Sequence, residues 1–255
     1  MKNLLKILSI LLIISSNAIA AGGENAALQP KQLKWEFDGF FGRFDRSSIQ
    51  RGFQVYKEVC SSCHGMKLFS YRNLEKAGFS KDEVKQISSE YIVIDGPNDA
   101  GEMFERLALP SDKIIGPFAN ENAARAANGG ALPPDMSLIA KARMDGPNYI
   151  YSLLMGYEKA PEDFYLAEGK YYNPYFEGRQ ISMMPPLADD ELVEYQDGTY
   201  PTKEQMTIDV VNFLQFVAEG EMEDRKKMGI RSILFLIILT ILFAIAKKRV
   251  WSKVK

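Results

Sequence analysis

Two apolar stretches lie near the ends of the chain, and shorter apolar patterns lie between them. Near the start, Lys2 and Lys6 precede the largely apolar run Ile7–Ile14, and residues 18–20 fit a small-x-small cleavage pattern. This order is typical of a secretory signal peptide, so we predict a signal peptide over residues 1–20 with cleavage after Ala20. The run is too short to cross a bilayer comfortably, which disfavours an uncleaved anchor. It also has no arginine, which favours a bacterial exported protein over a mitochondrial precursor.

The second apolar stretch, Ser232–Ala246, has 15 consecutive uncharged residues. A helix of that length covers about 22 Å, whereas the hydrocarbon core of a bilayer is roughly 30 Å thick. Adding residues 228–230 closes the difference if the side chains of Arg231 and Lys247 reach the interface. The basic cluster that follows and Trp251 suit such an interface. We therefore predict a transmembrane helix over residues 229–247 and a short basic cytoplasmic tail over residues 248–255, with a buried soluble helix as the alternative.

Between these ends, helical apolar patterns alternate with loops rich in glycine and proline. The first pattern places Phe53 and Tyr56 on one face, and Thr202 is a good N-cap for the last one. The predicted helices are Ile49–Val59, Lys81–Ser89, Glu121–Ala127, Tyr149–Met155 and Thr202–Ala218. Strand signals are sparse. We therefore expect a mainly α domain with long loops over residues 21–228.

The composition is that of a globular protein, with a strong internal asymmetry of charge. Of the 255 residues, 46% are apolar and 25% are charged, which excludes a disordered or collagen-like chain. Residues 21–222 contain 31 acidic and 20 basic residues, whereas residues 225–255 contain nine basic residues and no acidic one. An acidic main domain argues against nucleic acid as a partner and favours a basic protein.

The rarest residues of the chain lie together in one pentapeptide. Both cysteines and the single histidine fall within Cys-Ser-Ser-Cys-His, residues 60–64. In an exported protein this motif is typical of covalent haem c attachment. Cys60 and Cys63 would join the two vinyl groups of the porphyrin, and His64 would be the proximal ligand of the iron. We therefore predict one haem c on this chain.

Three other uses of the pentapeptide are weaker. A zinc site would need a fourth ligand besides the two thiolates and the imidazole. A thioredoxin-like redox pair would stand at the start of a helix that follows a strand, but the segment before Cys60 is predicted to be helical. A disulfide between cysteines three residues apart would be strained and would gain little loop entropy.

The sixth position of the iron requires a residue other than histidine. Methionine is the usual partner of histidine and raises the reduction potential, and the chain has eleven methionines. Met183 and Met184 precede two prolines, which stiffen their loop. Met136, which follows a Pro-Pro-Asp motif, is a rival. The pattern alone does not choose between Met183 and Met184.

Several separate motifs, in the same order along the chain, resemble the cytochrome c1 family, whose members are haem subunits of quinol–cytochrome c reductase (bc1) complexes. The similarity runs from Trp35 nearly to the C-terminus. The motifs that carry it are Val59–His64, Asp95–Asn98, Gly101–Phe104, Arg125–Asn128, Gly130–Asp135, Tyr171–Phe176, the Met-Pro-Pro loop and Arg225–Gly229.

This resemblance implies a class I cytochrome c-like haem domain with long loop insertions and one C-terminal transmembrane helix. It assigns the sixth ligand to Met183, in an Ile-x-Met-x-Pro-Pro setting, and places Met184 at a variable position. Arg143 and Tyr149 would correspond to the residues that bind the haem propionates. Some members carry an additional disulfide, which this chain cannot form because both of its cysteines are committed to haem, so packing must hold its methionine loop.

The resemblance also implies a function. The chain is expected to be an electron-transfer subunit rather than an enzyme on its own, with cytochrome b and a Rieske iron–sulfur protein as partners and a soluble or membrane cytochrome c as acceptor. The expected location is the bacterial inner membrane, with the haem domain in the periplasm. The alternatives are a subunit of a terminal oxidase and a haem peroxidase or nitrite reductase with an open iron.

Overall fold

The computed structural model describes residues 26–252, so the predicted signal peptide and the last three residues lie outside the described part of the chain. The α-helices are α1 (Arg46–Glu58), α2 (Lys81–Ser89), α3 (Glu121–Ala127), α4 (Gly146–Met155), α5 (Lys203–Glu219) and α6 (Met222–Trp251). Three short 3₁₀ helices cover Cys60–Ser62, Tyr71–Ala77 and Glu177–Arg179. The mainly helical class that the sequence predicts is confirmed.

The predicted helices agree closely with the observed ones. Helices α2 and α3 begin and end at the predicted residues, and Thr202 caps α5 by accepting a hydrogen bond from the backbone N–H of Gln205 at 3.0 Å. Helix α4 begins three residues before the predicted Tyr149, because Pro147 lies in its first turn, where a missing N–H costs nothing. Helix α1 begins earlier than Ile49 because Asp45 caps it.

The strands form three small antiparallel sheets of two strands each. The pairs are β1 (Met66–Ser70) with β4 (Lys113–Ile114), β2 (Ile92–Asp95) with β3 (Phe104–Leu107), and β5 (Tyr171–Tyr172) with β6 (Gln180–Ile181). The β2–β3 and β5–β6 pairs close loops, whereas the β1–β4 pair contributes the buried side chains of Met66, Phe69 and Ile114 to the core. The scarcity of strand signals in the sequence agrees with these short pairings.

The core is centred on the packing of α1 against α5, and it is rich in aromatic rings. Phe213 of α5 lies 5.5 Å from Phe53 and 5.8 Å from Tyr56, both on α1, measured between ring centroids. At Gly52 an added Cβ would come within 2.0 Å of the backbone oxygen of Asp209, so glycine allows the two helices to approach closely. This packing fixes helix α1, which leads directly into residues 60–64.

A buried polar cluster joins the same two helices. The carboxylate of Asp209, which is fully buried, accepts hydrogen bonds from Ser48 Oγ at 2.6 Å, Arg51 Nε at 2.9 Å and Gln205 Nε2 at 3.1 Å. Asn212 Nδ2 donates to Ser48 Oγ at 2.8 Å. A buried carboxylate is tolerated because donors surround it, and together they set the register of α1 on α5.

Helix α6 contains the predicted transmembrane segment and extends beyond it at both ends, so residues 248–251 of the predicted tail are helical. It runs without a break over 30 residues, and its most apolar 18-residue window has a mean hydropathy of 2.5 with no buried residue. Length and composition therefore allow it to cross a membrane. The alternative of a buried soluble helix is wrong for the part of the chain that the structure describes, because nearly all apolar side chains from Ile233 onwards are exposed and none is buried.

Candidate haem site

The Cys-Ser-Ser-Cys-His segment forms a tight turn at the end of α1. The backbone N–H groups of Cys63 and His64 both donate to the carbonyl of Cys60, at 3.1 and 3.0 Å. The two intervening serines donate back to carbonyls at the end of α1 and beyond it: Ser61 Oγ to Lys57 at 2.7 Å and Ser62 Oγ to Val59 at 2.8 Å. These bonds satisfy carbonyls that the helix end leaves without partners and hold both thiols and the imidazole on one turn.

The two thiols are free and partly buried. Cys60 packs against the core, and burial, with a smaller effect of Cys63, raises the pKa of its thiol to about 12. Within residues 26–252 no group of three or more His, Cys, Asp or Glu side chains is placed to hold a metal ion, so the structure offers no ligand set for zinc there. The pair also follows a helix rather than beginning one, unlike a thioredoxin-like pair.

The imidazole of His64 is buried and fixed in one orientation. Its Nδ1 lies 2.8 Å from the carbonyl oxygen of Pro134, and a carbonyl can only accept, so Nδ1 carries the proton. Burial lowers the pKa of His64, although the bond to Pro134 opposes the shift. The backbone carbonyl of His64 is held by Tyr56 Oη at 2.8 Å. The result is a neutral imidazole whose Nε2 carries the lone pair that a metal ion would need.

The loop that contains Pro134 lies alongside the residues that follow His64. Met136 N donates to Gly65 O at 2.8 Å, and Lys67 N donates to the carboxylate of Asp135 at 2.8 Å. The loop thus lies on the Nδ1 side of the imidazole and holds it there. Sequence reasoning missed this role of Pro134, since the contributing atom is a backbone carbonyl and no side-chain pattern marks it.

The structure distinguishes the two methionines of the Pro-Pro loop. Met183 is partly buried and packs against the core, and its carbonyl accepts a hydrogen bond from Tyr157 Oη at 3.1 Å. Met184 is 64% exposed. The loop follows the β5–β6 hairpin, and the buried side chain of Asn173 attaches this hairpin to the end of α4 by donating to Leu153 O at 2.7 Å. Packing therefore directs Met183 inwards and Met184 outwards.

Arg143 and Tyr149 lie next to each other in space. Tyr149 is partly buried near the start of α4, and Arg143 lies close enough for its positive charge to act on the phenol. Burial raises the pKa of Tyr149, and the nearby charge of Arg143 opposes that shift. The pair offers one positive charge and one hydroxyl donor, which is a set that can bind a carboxylate.

These residues fit a c-type haem. The turn supplies two free thiols, His64 has a neutral imidazole in the tautomer that leaves Nε2 available, and a thioether lies in a loop packed on the same core. The donor set is soft sulfur and imidazole nitrogen, as haem iron and thioether attachment require.

Comparisons with known proteins agree with this chemistry. The Cytochrome C1 family model matches residues 35–254. The chain is 46% identical over 260 residues to cytochrome c1 of Rhodospirillum rubrum, covering 96% of this chain and 95% of that protein. It is 47% identical over 245 residues to "Cytochrome c1 1, heme protein, mitochondrial" of Arabidopsis thaliana, covering 95% and 79%.

A third relative is described as part of a complex. The chain is 44% identical over 242 residues to "Cytochrome b-c1 complex catalytic subunit, mitochondrial" of Candida albicans, covering 94% of this chain and 84% of that protein. The family match spans the turn, the methionine loop and helix α6, and the three matches cover 79–95% of the relatives' own length. The chain therefore belongs to the cytochrome c1 family, the electron-transferring haem proteins of cytochrome b-c1 complexes.

Proposed function

We propose that this chain carries one covalently attached haem c and passes single electrons from a Rieske iron–sulfur protein to a cytochrome c within a cytochrome b-c1 complex. The observation that carries the proposal is the bond between His64 Nδ1 and Pro134 O, because it fixes the tautomer that a haem ligand needs. When bound, the haem supplies a one-electron couple. The chain itself holds, orients and tunes it.

Cys60 and Cys63 would hold the haem through two thioether bonds. The proposal is supported by the tight turn that keeps both thiols beside His64, with both of them free. Because the turn directly follows α1, the packing of α1 against α5 would also hold the haem in a fixed position. A rigid site favours electron transfer because little reorganisation accompanies the change of charge.

The axial ligands would be His64 Nε2 and the thioether of Met183. The inward position of Met183 supports this choice, whereas Met184 is exposed. Met136 also packs against the core, but it is disfavoured because Pro134 of the same loop binds the Nδ1 side of His64, opposite to Nε2. With both axial positions filled, the iron has no open site for a substrate, which favours electron transfer over a peroxidase or nitrite reductase. Arg143 and Tyr149 would bind a haem propionate.

Helix α6 would anchor the domain in the bacterial inner membrane. The proposed order is a signal peptide over residues 1–20, a periplasmic haem domain over residues 21–228, a transmembrane helix over residues 229–247 and a short cytoplasmic tail. The exposed apolar surface of α6 supports the anchor, because such a surface is costly in water. The N-terminal export signal in the sequence supports the periplasmic side.

The partners follow from the family and from charge. Cytochrome b and a Rieske protein would be neighbours in the complex. A basic cytochrome c would be the acceptor, because 31 acidic residues against 20 basic ones between residues 21 and 222 give the domain a negative field.

The test is to purify the full-length chain with its partners and record haem spectra before and after addition of quinol. The proposal predicts a low-spin, methionine-ligated haem that becomes reduced by quinol and reoxidised by cytochrome c. A high-spin ferric signal would favour the enzyme alternative instead. Co-purification with oxidase subunits rather than cytochrome b would favour the oxidase alternative.

A further inference from the structure

Residues 38–42 form a tight turn that carries two exposed aromatic side chains. Phe40 is 52% exposed and Phe41 is 79% exposed, and their rings make an edge contact with centroids 5.2 Å apart. Phe37 before the turn and Phe44 after it are both buried in the core. The chain thus leaves the core, presents two phenyl rings to the outside, and returns within seven residues.

The turn has a fixed backbone. Gly39 has a φ of +70°, which favours glycine, and an added Cβ at Gly42 would lie 2.1 Å from the carbonyl oxygen of Asp38. The carboxylate of Asp38 accepts a hydrogen bond from Trp35 N at 3.1 Å, and Arg43 N donates to Glu36 O at 3.0 Å. The outward position of the two rings is therefore built into the turn.

Contacts with α6 place the turn along that helix. Glu223 accepts hydrogen bonds from Phe44 N and from Arg46 Nη2, both at 2.9 Å. Three residues further along α6, Lys226 Nζ donates to the carbonyl of Gly42 at 3.0 Å. The same ammonium donates to the carbonyl of Phe37 at 2.7 Å.

These contacts show how near the turn lies to the apolar segment of α6. Both ends of the turn, at the carbonyls of Phe37 and Gly42, meet Lys226. The proposed transmembrane segment begins at residue 229, three residues or about 4.5 Å further along the helix. The turn is therefore attached to α6 just outside that segment.

This level corresponds to lipid headgroups if α6 spans the bilayer. The headgroup region on each side of a bilayer is about 5–8 Å thick. Aromatic side chains are favourable at this level, and basic side chains are attracted to anionic headgroups. Arg43 beside the turn and Arg231 on α6 are exposed, and Lys227 is exposed but pairs with Asp224 at 3.7 Å. Glu36 and Asp38, which lie beside the two rings in sequence, are exposed acidic residues.

We propose that the Phe40–Phe41 turn is a second membrane contact, which inserts its two rings into the headgroup region of the phospholipid bilayer that α6 crosses. This inference rests on the proposed anchoring by α6. Two contacts would restrict rotation and tilt of the haem domain relative to the membrane, which a single helix does not. Lipid is favoured over a protein partner because the turn is bound to the chain's own anchor at headgroup level and presents two exposed aromatic rings there.

The test uses the full-length chain in native membranes with a photoreactive phenylalanine analogue. Phe41→p-benzoylphenylalanine is conservative, because the residue is already aromatic and exposed. A matched control places the analogue at Tyr200, which is 60% exposed and precedes α5, about 26 Å along that helix from the end that joins α6. Further controls place it at Phe235 and Phe243 in the apolar part of α6. After irradiation, mass spectrometry identifies the adducts.

The proposal expects phospholipid adducts at position 41 and at one or both positions in α6, with at least a tenfold lower yield at position 200. If position 41 formed adducts with another polypeptide, or formed no lipid adducts, the second membrane contact would be overturned. Lipid adducts in α6 in the same experiment would leave the proposed anchor intact. Lipid adducts at position 200 as abundant as at position 41 would also overturn it. Absence of lipid adducts at every position would overturn both the second contact and the proposed anchor.

Discussion

At the residue scale, the tautomer of His64 depends on one hydrogen bond to a backbone carbonyl 70 residues away. The proton on Nδ1 leaves the lone pair on Nε2, which is the chemistry that iron needs. The two methionines of the Pro-Pro loop also show that orientation decides which atom can bind iron. They are adjacent in sequence, and the side chain of Met183 points inwards whereas that of Met184 is exposed. Individual substitutions can therefore separate ligation from packing.

Replacing Met183 by leucine keeps the approximate volume and removes the sulfur. We expect the reduction potential of Met183→Leu to fall by on the order of 100 mV, within the roughly 0.8 V range that axial ligands cover, because a thioether stabilises ferrous iron. A potentiometric titration of the haem band measures this. Met184→Leu is the matched control and should change the potential little. The opposite result would move the ligand by one residue.

Replacing the cysteines by alanine tests covalent attachment. The double variant Cys60→Ala with Cys63→Ala should lose all haem from a denatured protein, whereas each single variant keeps one thioether bond at most. Haem staining of a denaturing gel measures the bound cofactor. Ser61→Ala, which leaves both thiols in place, is the control. Undiminished staining of the double variant would rule out attachment through this turn.

At the scale of elements, helices α1 and α5 act as one rigid unit. The close approach at Gly52 and the carboxylate of Asp209 are two independent reasons why α1 keeps a single register on α5. Because residues 60–64 continue α1 without a linker, movement of this helix would move the site. The stability of the α1–α5 pair is therefore part of the architecture of the haem site.

The variant Asp209→Ala should destabilise the domain by about 3–5 kcal/mol, the usual cost of leaving a buried ion pair with one partner. Arg51 would lose its buried acceptor and keep only Asp197, which is more exposed. Urea unfolding followed by circular dichroism measures the change. Asp163→Ala, which removes an exposed carboxylate, is the control, and an equal effect of the two variants would contradict the role of the cluster.

At the scale of the whole molecule, the haem domain and α6 are joined by specific contacts rather than by a free linker. Met222 is buried in the core, Glu223 binds Phe44 and Arg46, and Lys226 binds the turn near Phe37. The first turns of α6 are therefore structurally part of the domain. This arrangement determines where the protein can be cut.

Truncation after Lys227 should release a soluble domain that keeps its haem and exchanges electrons with cytochrome c. Truncation after Glu221 should give a less stable domain, because it removes Met222, Glu223 and Lys226 together. Thermal unfolding of the two purified domains compares them, and we expect a lower midpoint by several degrees for the shorter one. Equal midpoints would show that the start of α6 contributes nothing to the domain.

The excess of acidic over basic residues in the domain is also a property of the whole molecule. The second-order rate of electron transfer to a basic cytochrome c should fall steeply as ionic strength rises, because surface charges mainly accelerate encounter. Neutralising Asp189, Asp190 and Glu191 to amides should lower the rate at low salt and leave haem content unchanged. Stopped-flow measurements over a salt series test both. A rate independent of salt would show that this charge has no part in recognising the acceptor.

The sequence by itself determined the features that depend on neighbours close along the chain. The turn at residues 60–64, the ends of α2 and α3, the cap at Thr202 and the apolar segment of α6 could all be predicted. Each depends on spacing within a few residues, since helix periodicity, capping and a short motif are local. The resemblance carried by several such motifs was enough to indicate the family.

Only the tertiary structure decided which atoms meet across the chain. It brought Pro134 to His64, turned Met183 inwards and Met184 outwards, and attached the start of α6 to residues 37–46. None of these contacts has a local signal, because a backbone carbonyl looks the same at every position and two adjacent methionines have the same chemistry. They follow from how the aromatic core closes, and burial of that core is a property of the whole fold.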